Sequence, residues 1–135
     1  MAYQQPKSFV DNSLVNINNN WLKQANSKNY HHFFPKSYLK KKNIDDFKIN
    51  HIANITIVDD FLNKRSIRDK APSNYISDYQ KNNPDICKAL ESHLIGEPKD
   101  WGIYSDDYDL FFDKRLKRFH DELKARLLLT STDHF

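Results

Sequence analysis

A chain of 135 residues is long enough for one domain with a modest core. Only two glycines and 13% aromatic residues argue against a glycine-rich phosphate cradle and against a disordered tail, and for a packed, helix-rich domain. The net charge of +3 says little alone, but the single cysteine, Cys87, excludes disulfide scaffolds, cysteine zinc ribbons and CxxC redox chemistry. A reducing cytoplasm is the expected compartment. No apolar run reaches the length of a membrane span, and Met1 to Pro6 lack the layout of a signal peptide. A mean hydropathy of -0.83 implies a small core, as in a piece of a larger protein.

Along residues 1–29, Val10, Leu14, Ile17 and Trp21 recur at helical spacing, but the asparagines among them are poor helix formers. Leu14 to Ile17 reads equally as a short strand. The segment is expected to pack on the rest through Phe9, Leu14, Ile17 and Trp21, and to end in a turn at Asn26 to Asn29. Tyr30 to Phe34 is aromatic and short, and reads as a strand ended by Pro35. One helical turn is expected over Ser37 to Lys41, then a loop through Asp45 and Asp46. Asn54 to Val58 is β-branched and reads as the clearest strand. Asp59 and Asp60 then suit the N-cap of a helix from Phe61 to Arg68, stopped before Ala71-Pro72.

Pro72-Ser73 opens a further helix with Tyr75, Ile76 and Tyr79 on one face. Pro84 suits the first position of the next, whose apolar face holds Ile86, Leu90, His93 and Leu94. Ser105 or Asp106 is the expected cap of a long final helix with an apolar stripe of Phe112, Leu116, Phe119, Leu123 and Leu127. Thr130 to Phe135 is expected to fray. The organisation read from this is residues 1–29 as a packing segment, 30–70 as a core unit, and 71–135 as helices of the same domain.

Between His31 and Lys70 the basic residues Lys36, Lys40, Lys41, Lys42, Lys48, Lys64, Arg65, Arg68 and Lys70 outnumber the acids, as on a surface that meets a polyanion. The Lys40-Lys41-Lys42 run reads equally as a solvated loop. The order is strand with His31-His32, loop, strand opening at Asn54, helix with Asn63. If the strands pair antiparallel and the helix packs on them, His31, His32 and Asn63 converge. His51 reads as structural or as close to phosphate, His93 as a core histidine, and Cys87 as a core or boundary filler. Asp106, Asp107 and Asp109 lack the spacing and glycine of a calcium loop.

The run His31-His32-Phe33-Phe34-Pro35-Lys36, then Asn54-Ile55-Thr56-Ile57, then Asn63-Lys64-Arg65, resembles the His-Asn-His (HNH) endonuclease superfamily. His32 to Pro35 matches the HxxP form of its first motif, Asn54 its central Asn, and Asn63 its last position. Ala71-Pro72-Ser73-Asn74-Tyr75, Glu91-Ser92-His93-Leu94-Ile95, and Asp107-Tyr108-Asp109 with Phe112 and Arg115 resemble the C-terminal nuclease domain of GmrSD-type modification-dependent restriction proteins. The resemblance spans residues 30–128 and implies an α+β fold, a ββα-metal core surrounded by helices. It implies DNA phosphodiester hydrolysis in restriction or defence, and a partner: an NTP-using ParB-like domain or subunit.

The chemistry fits the residues. Hydrolysis needs a base to activate water and positive charge on the developing anion. By resemblance His32 is the base, Asn54 holds the loop that carries it, and His31 and Asn63 bind a divalent ion. Lys36, Lys40, Lys64, Arg65 and Arg68 are the expected phosphate contacts. Many members place Asp where this chain has His31. Imidazole suits Mn, Ni or Zn better than Mg, the usual ion of the superfamily. The alternative is a silent nucleic-acid-binding or interaction module.

Overall fold

In the computed structural model, which describes residues 5–15, 30–58 and 67–132 with side chains as far as 128, the first strand is β1, Tyr30–His32. It stops earlier than its aromatic run suggests, because Phe33 and Phe34 turn inward and both are fully buried. Pro35 then leads into α1, Lys36–Lys41. Asp45 accepts a hydrogen bond from Lys48 N at 2.8 Å and caps a one-turn helix, α2, Asp46–Ile49, where a loop was expected. His51 does the same for a 3-10 turn, Ile52–Asn54: its Nδ1 accepts from Ala53 N at 3.0 Å. Strand β2, Ile55–Ile57, follows directly.

β1 and β2 pair antiparallel, with Tyr30 opposite Ile57, His31 opposite Thr56 and His32 opposite Ile55. Alternation along β1 turns His31 and its partner Thr56 to the buried side, and His32 to the more open face. The helices that follow are α3, Pro72–Asn82; α4, Ile86–Ser92; and α5, Tyr108–Thr132. The described residues therefore form an α+β fold of five helices and a two-stranded antiparallel sheet. None of their helices is long and apolar enough to cross a membrane. The helix expected over residues 61–68, with its caps Asp59 and Asp60, lies outside the described residues up to position 66. Ile17, Trp21 and the Asn26–Asn29 turn lie outside them as well.

Three expectations need correction. Pro84 lies in a turn, and α4 begins only at Ile86. The cap of α5 is Asp107, which accepts from Leu110 N at 3.2 Å; Asp106 is drawn away to α3, where it accepts from Ser73 N at 3.0 Å and Ser73 Oγ at 2.6 Å. The buried face of α5 is not the leucine stripe. Tyr108, Phe111 and Arg115 are buried, whereas Leu116, Leu123 and Leu127 are exposed. The aromatic core selects the face: Phe111 stacks on Phe33 with centroids 4.8 Å apart and meets Phe34 at 5.1 Å. In the N-terminal segment Phe9 is fully buried against Phe33 and His93, but Leu14 is exposed.

Arg115 is the largest fully buried side chain. Its guanidinium donates to Ala53 O at 3.1 Å and His93 O at 3.0 Å, and lies over the Phe119 ring at 4.8 Å. Burial pushes its pKa down to about 9, against an opposing pull from Tyr108 and Tyr75, so it keeps its charge at neutral pH. One fork thus ties α5 to the 3-10 turn and to the end of α4. Arg115→Met is expected to destabilise the fold by about 3 kcal/mol, because two buried carbonyls lose a charged donor. Arg115→Lys should recover little of this, since an ammonium lacks the planar fork. Chemical denaturation of the two variants checks both statements.

His93 is fully buried; its Nε2–H donates to Lys7 O at 3.1 Å. Burial lowers its pKa to about 4, the Lys7 carbonyl opposes that shift, and Arg115 adds to it. The unfolded chain therefore takes up this proton first as pH falls. The stability due to neutral His93 is complete above about pH 6.5 and drains away between there and about pH 4, by roughly 3 kcal/mol in all. His93→Leu should flatten that part of the stability–pH curve measured by urea unfolding.

Candidate nucleic-acid site

The turn after β1 is held by one buried side chain. Asn54, 0% exposed, accepts from Phe34 N at 2.8 Å through Oδ1. Its Nδ2 donates to Phe34 O and to Ile49 O, each at 3.0 Å. Its backbone carbonyl accepts from Phe33 N at 2.8 Å. Asn54 therefore closes the segment that follows His32 and joins it to the end of α2. Tyr75 adds a further tie by donating its hydroxyl proton to Phe33 O. Such a turn has little freedom to move, and the strand residue just before it inherits that rigidity.

His32 is half-buried and lines a cleft of about 350 Å³ with Tyr30, His31, Pro35, Lys36, Ser37, Ile55 and Arg68. Lys36 and Arg68 are both exposed and give the cleft its positive charge. The ring of His32 makes a 2.8 Å hydrogen bond from Nε2 to Asn50 Oδ1. His31 is 4% exposed, faces the Tyr75 ring edge-on at 6.4 Å, and also borders the cleft.

Of the site residues expected from sequence, His31, His32, Lys36 and Arg68 come together here, with Asn54 directly behind them. Lys40 is exposed on α1, 3.9 Å from Asp46, and does not line the cleft. Asn63, Lys64 and Arg65 lie outside the described residues, so the expected approach of Asn63 does too. Among the described residues no group of three or more His, Cys, Asp or Glu side chains stands together to hold a metal. Among the described residues lining the cleft, His31 and His32 carry imidazoles, a ligand type suited to a divalent transition metal.

His51 takes the structural role, capping the 3-10 turn and packing edge-on against Phe112 with centroids 4.9 Å apart. Cys87 is exposed rather than in the core. Burial and the nearby Glu97 carboxylate raise the Cys87 thiol pKa, which is the wrong direction for a nucleophile. Asn50 was not marked by the sequence, where it is one asparagine among many. Arg115 was marked only as part of the resemblance; its position one helical turn beyond Phe111 aims both at the same core.

Against known proteins, the chain is 30% identical over 112 residues to an uncharacterized protein of Methanocaldococcus jannaschii, the match covering 73% of this chain and 19% of that protein. The chain spans about a fifth of the relative's length. No family model matches the chain, and no solved structure matches it.

Proposed function

We propose that this chain is a divalent-metal-dependent endonuclease domain of the His-Asn-His type, which hydrolyses DNA phosphodiester bonds in restriction or defence. The observation that carries the reading is the Asn54 clamp. A fully buried asparagine holds the turn that follows a cleft-lining histidine, using both amide atoms on Phe34 and a third bond to Ile49. A purely structural surface strand does not need its only half-open histidine held this firmly.

In this reading His32 accepts the proton of the attacking water, and Asn54 keeps the strand end that carries it in place. Lys36 and Arg68 at the cleft, with Lys40, Lys64 and Arg65, meet phosphates and set affinity rather than sequence. A divalent ion held by His31 and Asn63 would supply positive charge to the scissile phosphate and the leaving oxygen, with Mg as the usual ion and Mn, Ni or Zn favoured by imidazole. The proposed partner is an NTP-using ParB-like domain or subunit.

The test is incubation with supercoiled plasmid, unmodified and base-modified, in the presence of Mg, Mn or Ni, reading nicked and linear forms on a gel. Metal-dependent nicking that stops with chelator is the expected result. Salt-sensitive DNA binding without cleavage under every metal would leave a nucleic-acid-binding module instead.

A further inference from the structure

We propose that Asn50 is a positioning residue for His32: its side-chain carbonyl holds the ring's Nε2 as a hydrogen-bond donor and leaves Nδ1 as the proton acceptor. The 2.8 Å contact between His32 Nε2 and Asn50 Oδ1 is the basis. An imidazole that donates from Nε2 carries its one neutral-state proton there, so its basic lone pair is on Nδ1. The partner is held in place as firmly as the ring. Asn50 is the residue after α2, and its backbone N–H donates to Asp46 O at 2.9 Å. The carbonyl just before it, Ile49 O, is bound by Asn54 Nδ2 at 3.0 Å. Asn54 thus fixes both sides of the pair, the Phe34 turn that follows His32 and the end of α2 that carries Asn50. A ring whose tautomer is set before DNA arrives needs no reorganisation at the moment of proton transfer.

An amide is a neutral orienting group, and that choice has a consequence. The titratable and charged side chains lining the cleft with His32 are Tyr30, His31, Lys36 and Arg68, and no carboxylate is among these described residues. On α2, Asp46 lies 3.9 Å from Lys40, and Lys48 pairs with Asp109. A carboxylate at position 50 would place a negative charge beside the ring. The amide orients the ring without that effect.

The catalytic consequence rests on the nuclease reading, but the contact is measurable without it. Long-range proton–nitrogen spectra of the labelled 135-residue chain report the tautomer of each histidine ring. The expected result is wild-type His32 in the Nε2–H form, and a mixture of the two ring tautomers in Asn50→Ala. The exposed His120 serves as the internal control and should not move. In plasmid cleavage, Asn50→Ala should lower kcat about tenfold with KM unchanged. A wild-type ring in the Nδ1–H form, or the same single tautomer in wild type and Asn50→Ala, overturns the proposal. A wild-type chain that never cuts DNA removes the nuclease reading alone, because the ring spectra still decide the role of Asn50.

Discussion

Asn54→Ala is expected to destabilise the fold by on the order of 4 kcal/mol and to lower the melting midpoint by about 14 °C. The side chain is 0% exposed and makes three hydrogen bonds, all to backbone groups. Truncation leaves Phe34 N, Phe34 O and Ile49 O in a dry site with no replacement partner, and each carries a desolvation cost. Asn54→Asp separates hydrogen bonding from volume. It keeps an acceptor for Phe34 N but turns a carboxylate toward two carbonyls, so it should be at least as damaging as alanine at neutral pH. In the proposed reaction both variants should also lose about a hundredfold in cleavage, since the turn beside His32 no longer has a single position. Urea unfolding and plasmid cleavage on the same preparations check the two effects together. Stability within 1 kcal/mol of wild type for Asn54→Ala would show that the clamp carries little.

The local chemistry of the sheet was readable in the sequence. The strands expected over Asn54 to Val58 and Tyr30 to Phe34 both formed, each shorter than expected, as β2, Ile55–Ile57, and β1, Tyr30–His32. Pro72 marked the start of α3 for the usual reason, a fixed φ and no missed hydrogen bond at the first position. What periodicity missed was which face of α5 is buried. A stripe of leucines at helical spacing looks like a core face, but much of α5 extends beyond the aromatic cluster, and most of those leucines are exposed. Burial was decided by neighbours distant in sequence: Phe33 and Phe34 for Phe111, and the carbonyls of Ala53 and His93 for Arg115. Asp106 and Asp107 show the same limit. Both suit a helix cap, and the nearness of Ser73 drew one of them to a different helix.

The candidate site was legible to a different degree at each residue. His31, His32 and Asn54 were marked because imidazoles and an amide in that order are unusual for a packing strand. The Asn54 side chain bonds the backbone of Phe34 in the turn after β1; its role in a loop that serves catalysis rests on the resemblance. Asn50 was not legible. Its contact with His32 depends on a one-turn helix capped by Asp45, which begins at Asp46 where the sequence suggested a loop. The expected convergence of Asn63 on His31 lies outside the described residues, and that part of the site rests on resemblance.

His32→Ala carries the largest expected effect on function. A positioned general base contributes about 10² to 10⁴ in rate, so the variant should lose roughly a thousandfold in cleavage. The side chain is half-buried at the cleft, and its one side-chain hydrogen bond is the contact to Asn50, so the fold should be affected little. DNA affinity should also hold, because Lys36, Arg68 and the other cations remain. This separates the base from the surface that carries it. The most direct measurement is single-turnover cleavage of supercoiled plasmid by wild type and His32→Ala in parallel, with Mn, at protein concentrations that bind the DNA equally. The account predicts metal-dependent nicking by the wild type and almost none by the variant. Equal cleavage by the two chains, or none by either while both bind DNA, would contradict it.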